Sequence, residues 1–348
     1  MVVFNYYRAI DKSRIQFDFF YDADSTVGPP EDLIEMGARF YKVPPYQHLP
    51  QYIAALKKYF KENKYTIVHS HLNTLSVFPL FAAWSCHVPV RIAHNHSVPS
   101  GKEFKRDALK YFLRSFATVF PTDYFACSEK AGRWLFGDRR FDDNKVFVLK
   151  NAIDFEKFKA VDYAEIRNLR KLYNIDGRIV IGHVGRFTFA KNHEFLLDIF
   201  QEISKMKTDF VLMLVGDGEL SHSIHESVKK RGLEGRVIFT GKVTNPEAYY
   251  HLFDVLVLPS VFEGFSVTAI ESQVCGVPLV ASTAVPEEAV ISDGIRRLDL
   301  SDNDWVNTVL EMIGKAVVLD ERSLEYDINY AVKRLEGFYL GKVNREYV

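Results

Sequence analysis

The sequence predicts an α/β protein built from two doubly wound, Rossmann-like domains, each a parallel sheet covered by helices. Three observations predict it. Short β-rich apolar runs alternate with segments of helical periodicity, the rhythm of parallel strands joined by crossover helices. That rhythm restarts after Leu149. The runs "FVLMLVG", from Phe210, and "VLVLP", from Val255, are apolar throughout, as strands covered on both faces must be.

In chain order, the opening "MVVFNYYRAIDKSRIQFDFFY" reads as a helix and then a strand at 15–21. A helix follows at 49–62 and a strand at 65–69. Residues 75–93 are broken by Pro79, Ser85, His87 and Pro89, so they read as helix, turn and strand (90–94) rather than as a membrane span. A helix at 104–116 and strands at 124–127 and 145–149 complete the first half. The segment 151–162 lacks periodicity and mixes turn formers with charge, which marks a domain boundary. The second half repeats the pattern, with strands at 179–184, 210–215, 237–240, 255–258 and 279–281. Its helices are expected at 192–205, 219–230, 266–274 and 305–316. The expected division is therefore 1–152, 153–323 and a last helix, 324–348, packing back on the first half.

The 348 residues are 47% hydrophobic, ample for large cores, and the formal net charge of -1 gives no global reason to expect nucleic acid. Aromatic residues make up 14%, with 28 Phe and 18 Tyr, which suits dense cores and a surface meeting lipid or glycan. The 3 cysteines, Cys86, Cys127 and Cys275, sit in apolar runs without metal or redox spacing. They read as reduced thiols of a cytoplasmic protein.

The most informative string is "VLPSVFEGFSVTAIESQVCGVPLVAS". A strand ends at Pro259, a loop spans 260–265, and a helix opens near Ser266. A helix start beyond the carboxyl end of a parallel strand presents free N–H groups and a positive dipole end, a site for phosphate. Gly264 allows close backbone approach, and Ser266 or Thr268 adds a hydroxyl. Glu263 in the loop and Glu271 in the helix can reach one ligand: Glu271 suits the two hydroxyls of a ribose, and Glu263 lies nearer a transferred sugar. Taken on spacing alone, the same string also fits a plain strand–loop–helix with solvated glutamates.

The full pattern E-G-F-S-x-x-x-x-E followed by G-V-P-L-V-A-S resembles the E-x7-E region of retaining glycosyltransferases of family 4. "GHVGRFTFAKNHEFLLDIF", "VLMLVGDGEL", "VIFTGKV" and "NAID" match the same family. "IVHSHL", "RIAHNHS" and "CSEKAGRWLFG" resemble enzymes that build bacterial exopolysaccharide or capsule. The resemblance implies the GT-B fold, two Rossmann-like domains facing a cleft. It also implies hexosyl transfer with retention from a nucleotide-sugar, most simply a UDP-sugar, to a glycan or polyprenyl-diphosphate-linked acceptor. Donor contacts would come from Gly185, Arg186, Lys191, Gly216, Lys242, Val243, Glu263, Gly264, Phe265, Ser266, Val267 and Glu271, with the base beside 241–243. Gly216 and Gly218 would keep their turn tight. Catalytic roles fall to Glu263, His96, Arg186 and Lys191, with His94 the other match for the donor-sugar histidine. Asn151 corresponds to a hinge asparagine. Family members begin with a further strand and glycine-rich loop, so the resemblance implies that the central first strand of the first sheet is missing.

Arg186 and Lys191 flank the loop after the strand at 179–184, where a guanidinium and an ammonium can stabilise a leaving diphosphate. No Asp-x-Asp is placed to hold a metal there, and no third ligand type accompanies the His-x-His pairs His69/His71 and His94/His96, so no metal or other cofactor is expected. "GDG" lacks the third glycine and later acidic residue of a dinucleotide site, which counts against a nicotinamide oxidoreductase. A non-catalytic nucleotide-sugar-binding subunit, or an inactive shortened copy, is the other alternative. Finally, "GKEFKRDALKYFLRSF" sets Lys102, Arg106, Lys110 and Arg114 on one helical stripe and Phe104, Ala108, Phe112 and Phe116 on another. Such a helix can lie on an anionic membrane surface, or can bury its aromatic face in an ordinary core.

Overall fold

The computed structural model describes residues 2–25, 28–98 and 104–346. The chain divides into two compact units, Met1–Ile153 with Leu324–Val348, and Asp154–Ser323.

In the first unit, β1 (Asp18–Asp22) and β2 (Arg39–Val43) form a two-stranded parallel sheet. A second parallel sheet runs in sequence order through β3 (Ile67–Ser70), β4 (Val90–Asn95), β5 (Asp123–Ala126) and β6 (Val146–Val148). Between β3 and β4 the helix Val77–Ser85 ends at a turn through His87 in the left-handed region. Helix, turn and strand thus replace the apolar run, and no described helix is long and apolar enough to cross a membrane.

The last helix, Ile328–Glu346, belongs to this unit. It starts later than expected because residues Glu321–Tyr326 form a 3-10 turn. Its Leu335 and Tyr339 are buried in one cluster with Tyr7, Ile92, Phe125 and Leu149. Asn151 is buried at the end of the segment leaving β6.

The second unit holds one parallel sheet of six strands: β7 (Ile179–Val184), β8 (Phe210–Val215), β9 (Val237–Gly241), β10 (Val255–Leu258), β11 (Leu279–Ser282) and β12 (Ile295–Leu298). Their order is β12-β11-β10-β7-β8-β9. In terms of the unit's own six strands this is 6-5-4-1-2-3, the doubly wound Rossmann order. Every residue of β8 and of β10 is buried, as their unbroken apolar character requires. The order reverses between β7 and β10, so the loops leaving their carboxyl ends diverge and open a crevice at that point.

Three helices are shorter than expected, each for a local reason. Helix Ser221–Lys230 starts after 218–220 are taken up by a turn, in which the Leu220 N–H donates to Phe187 O. Helix Trp305–Met312 stops before Gly314, which has φ +70°. Helix Phe104–Arg114 gives way to turns.

Candidate active site

The switch point of the second unit gathers most of the expected donor residues. The loop after β7 runs from Gly185 through Arg186 to a 3-10 turn at Phe189–Lys191, and Asn192, in the left-handed region, starts helix His193–Met206. The loop after β10 is tied to it by the Val261 N–H, which donates to Ala190 O at 2.8 Å. Across this tie Lys191 Nζ meets Glu263 Oε1 at 2.6 Å, with both side chains largely buried. Ser260 Oγ donates to the same carboxylate oxygen at 2.8 Å, and Ser282 Oγ holds Ser260 O at 2.5 Å. Buried pairs of this kind persist only when hydrogen bonds complete them. Arg186 is different. It is exposed, and its guanidinium lies 3.5 Å from Glu219, a loose surface pair that an arriving anion can replace.

Glycine shapes the adjoining turn. Gly216 has φ +136°, and a Cβ there would strike the backbone oxygen of Gly185; a Cβ on Gly218 would strike the Phe187 backbone. Backbone to backbone contact at both positions brings the ends of β7 and β8 together. The Gly216 N–H also donates to Gly241 O at 3.0 Å, which aligns the end of β9, with Lys242 exposed and Val243 half-buried just beyond it.

Helix Val267–Val274 opens at Ser266, whose extended backbone makes it the N-cap. Ser266 Oγ is buried and makes no hydrogen bond to protein, so its hydroxyl is free for a ligand. Gly264, Phe265, Val267 and Thr268 are half-buried around that start. Glu271, one turn in, accepts a hydrogen bond from Tyr250 Oη at 2.6 Å. Burial pushes the Glu271 carboxyl up, against the lowering effect of that bond. Burial and the neighbouring carboxylate push the Tyr250 hydroxyl well up, so it stays a donor. Tyr250 was not singled out from sequence, because a tyrosine twenty-one residues away carries no local signal.

Behind the loop lie two buried histidines. One ring nitrogen of His183, Nδ1, bonds Val257 O at 2.8 Å, and its ring packs 4.7 Å from that of His193. Burial, with help from Lys191, lowers His193 from 6.5 to about 4.

In the first unit, His69, His71, His94 and His96 stand together at the ends of β3 and β4. His94 is buried and the others are half-buried. His96 accepts position from two sides: its N–H donates to Asn73 Oδ1 at 2.7 Å, and its Nδ1 lies 3.4 Å from Asn151 Oδ1. Burial lowers all four imidazoles, so they are neutral at neutral pH.

Of the basic helix, Lys102 and the Arg106 side chain lie outside the described residues, as does the Phe104 side chain. Lys110 pairs with the buried Asp107 at 2.9 Å, and Arg114 lies over the Trp134 ring at 5.7 Å. The described part of the aromatic stripe does not enter the core: Phe112 and Phe116 are exposed, with Leu109 and Val119 beside them in sequence and also exposed.

Two family models match in tandem: "Glycosyltransferase Family 4" over residues 1–157 and "Glycosyl transferases group 1" over 178–315. The chain is 33% identical to the putative glycosyltransferase EpsF of Bacillus subtilis, over 88% of its own length and 82% of that protein. The chain belongs to glycosyltransferase family 4. Other members it resembles include the capsular polysaccharide biosynthesis glycosyltransferase CapH of Staphylococcus aureus, at 26% identity over 82% of this chain and 79% of that one. A third is the UDP-Gal:alpha-D-GlcNAc-diphosphoundecaprenol alpha-1,3-galactosyltransferase of Escherichia coli, at 25% identity over 84% and 79%. The solved structure of Anabaena HepE with UDP and glucose matches at a TM-score of 0.77 and 18% identity, covering 97% of this chain and 94% of that one. This likeness gives the fold, which is GT-B, and the family makes the chain a glycosyltransferase.

Proposed function

We propose that this family 4 enzyme transfers a hexose, with retention at the anomeric carbon, from a UDP-sugar to a polyprenyl-diphosphate-linked glycan in cell-surface polysaccharide synthesis. The observation that carries the reading is the Lys191–Glu263 pair at the switch point of the second unit, beside a free helix start. The helix N-terminus and Ser266 Oγ suit a phosphate, Glu271 suits the ribose hydroxyls, and Arg186 and Lys191 suit the second phosphate. In the reaction the bond from the anomeric carbon to the phosphate oxygen breaks and one to the acceptor oxygen forms on the same face. The acceptor proton passes to the departing phosphate. Negative charge grows on the diphosphate, and the two cations stabilise it in place of a metal. Glu263 holds Lys191 in position for that task and faces the transferred sugar; His96 is assigned to the sugar from the first unit.

The acceptor class is supported by the E. coli relative's own substrate and by the exposed Phe112 and Phe116. Aromatic side chains left in water on and just past a helix that also carries lysine and arginine suit the interface of an anionic membrane. A peripheral position at the cytoplasmic face follows from that assignment.

A thermal-shift screen of UDP- and GDP-sugars and NAD tests the donor. UDP-sugars should raise Tm most, and a response to NAD alone would sink the reading. For the acceptor surface, flotation with phosphatidylglycerol liposomes should fall several-fold in the Phe112→Ser/Phe116→Ser variant. Unchanged flotation would remove the membrane assignment and leave the donor assignment standing.

A further inference from the structure

The transfer reaction uses one of the four first-unit histidines and leaves three without a task. Alternation along a strand puts His69 and His71 on one face of β3's end, and His94 and His96 on one face of β4's end. Because β3 and β4 are parallel neighbours, the two pairs meet side by side. His69 Nε2 lies 3.1 Å from His94 Nδ1, and His71 Nδ1 lies 2.9 Å from His96 Nε2. The His69 ring stacks over His71 at 4.3 Å, and His94 over His96 at 4.1 Å. One ring nitrogen from each of His69, His71 and His94 falls within 4.8 Å of the others.

We propose that His69, His71 and His94 bind a divalent transition-metal ion of the zinc class, with His96 beside them. Neighbouring nitrogens around a tetrahedral zinc ion, at Zn–N distances of about 2.0–2.1 Å, are about 3.3 Å apart. The His69–His94 separation already matches that spacing, and side-chain rotation of the order of an ångström closes the rest. The outer nitrogen of His69 has the kind of partner that metal-binding histidines use: Tyr339 Oη stands 2.6 Å from His69 Nδ1. Such contacts fix the tautomer and aim the other nitrogen inward. Four imidazoles without a carboxylate or thiolate favour zinc, copper, nickel or iron over magnesium, calcium or manganese.

The expectation of no metal rested on the lack of a third ligand type beside the two His-x-His pairs. The strand pairing supplies the third and fourth imidazoles from the same residue type. This site is separate from the charge stabilisation assigned to Arg186 and Lys191, and metal loading is read without turnover, so either reading can fail while the other stands.

The untagged full chain, stripped with EDTA and desalted, should take up one Zn2+ per chain and keep it through a second desalting. With Co2+ it should give the intense visible d–d absorption of a tetrahedral site, and Mg2+ or Ca2+ should not displace the ion. His71→Ala should weaken Zn2+ binding by tenfold or more. The surface variant His222→Ala/His225→Ala, from a helix of the second unit, should bind as the wild type does. Should His71→Ala fail to fold, the wild-type stoichiometry and Co2+ spectrum still decide. No retained ion and no d–d band in the wild type would overturn the proposal, as would full binding in His71→Ala with loss in the surface variant.

Discussion

In the second unit the end of β7 leads to a lysine locked to a glutamate, with an arginine in a loose surface pair and a helix start open nearby. In the first unit the ends of β3 and β4 carry four neutral imidazoles stacked two by two. Both clusters occupy the carboxyl ends of parallel strands, where doubly wound folds place ligands. They differ in what they can hold. The first is rich in fixed charge and N–H donors and is suited to a polyanion. The second has been stripped of charge by burial and offers only lone pairs and exchangeable protons. Position in the fold therefore selects where a ligand sits, and the residue chemistry selects its sign.

The comparison predicts most for Lys191. If its charge serves the leaving diphosphate, Lys191→Met should lower turnover by about a hundredfold or more, the effect of losing one preorganised donor. Steady-state kinetics would expose the idea as wrong if only KM changed. Lys191→Arg should recover part of the loss.

The next largest effect concerns histidines that the fold keeps neutral. An unfolded histidine takes a proton near 6.5, whereas buried His193 does so only near 4. Between these values the unfolded chain binds more protons, so stability falls as pH drops from about 6.5 and levels off below about 4. The loss attributable to His193 is about 3 kcal/mol at the acid end. Urea midpoints at pH 7 and pH 5 should converge in His193→Leu relative to the wild type. Equal acid sensitivity in both proteins would remove His193 from the account.

A smaller effect is expected where glycine does the shaping. Gly216→Ala must fit a Cβ against the Gly185 carbonyl at φ +136°. The cost should be about 2 kcal/mol, read as a lower urea midpoint at pH 7. The same substitution at Gly232, where a Cβ meets nothing within 4 Å and φ is +65°, should cost about 1 kcal/mol. Equal costs would show that backbone angle alone, and not the close approach of β7 and β8, sets the requirement.

The strands covered on both faces were the legible part of the fold. β7, β8 and β10 fall where the apolar runs place them, because these runs are short, rich in Val, Ile and Leu, and bounded by turn residues. β2 and β12 were not anticipated. β2 reads RFYKV and β12 reads IRRL, edge strands whose cations, with Arg39, Lys42 and Arg296 exposed, break the apolar signal. Lys191 and Glu263 are seventy-two positions apart, so only likeness to a family could pair them in advance. Both His-x-His motifs were legible at the ends of strands, but the pairing of β3 with β4 that sets the four imidazoles side by side was not.

The chain leaves the first unit after Ile153 and re-enters it at Leu324. Ile153 then pairs with the returning segment, its N–H donating to Tyr326 O and its carbonyl accepting from the Ile328 N–H, each at 2.9 Å. Entry and exit are thus stitched together, and in topological terms the second unit is a cassette inserted into a loop of the first. No described strand of the second unit pairs with a strand of the first, so recombination at this one seam can exchange the cassette while Tyr339 and the residues it touches stay in register.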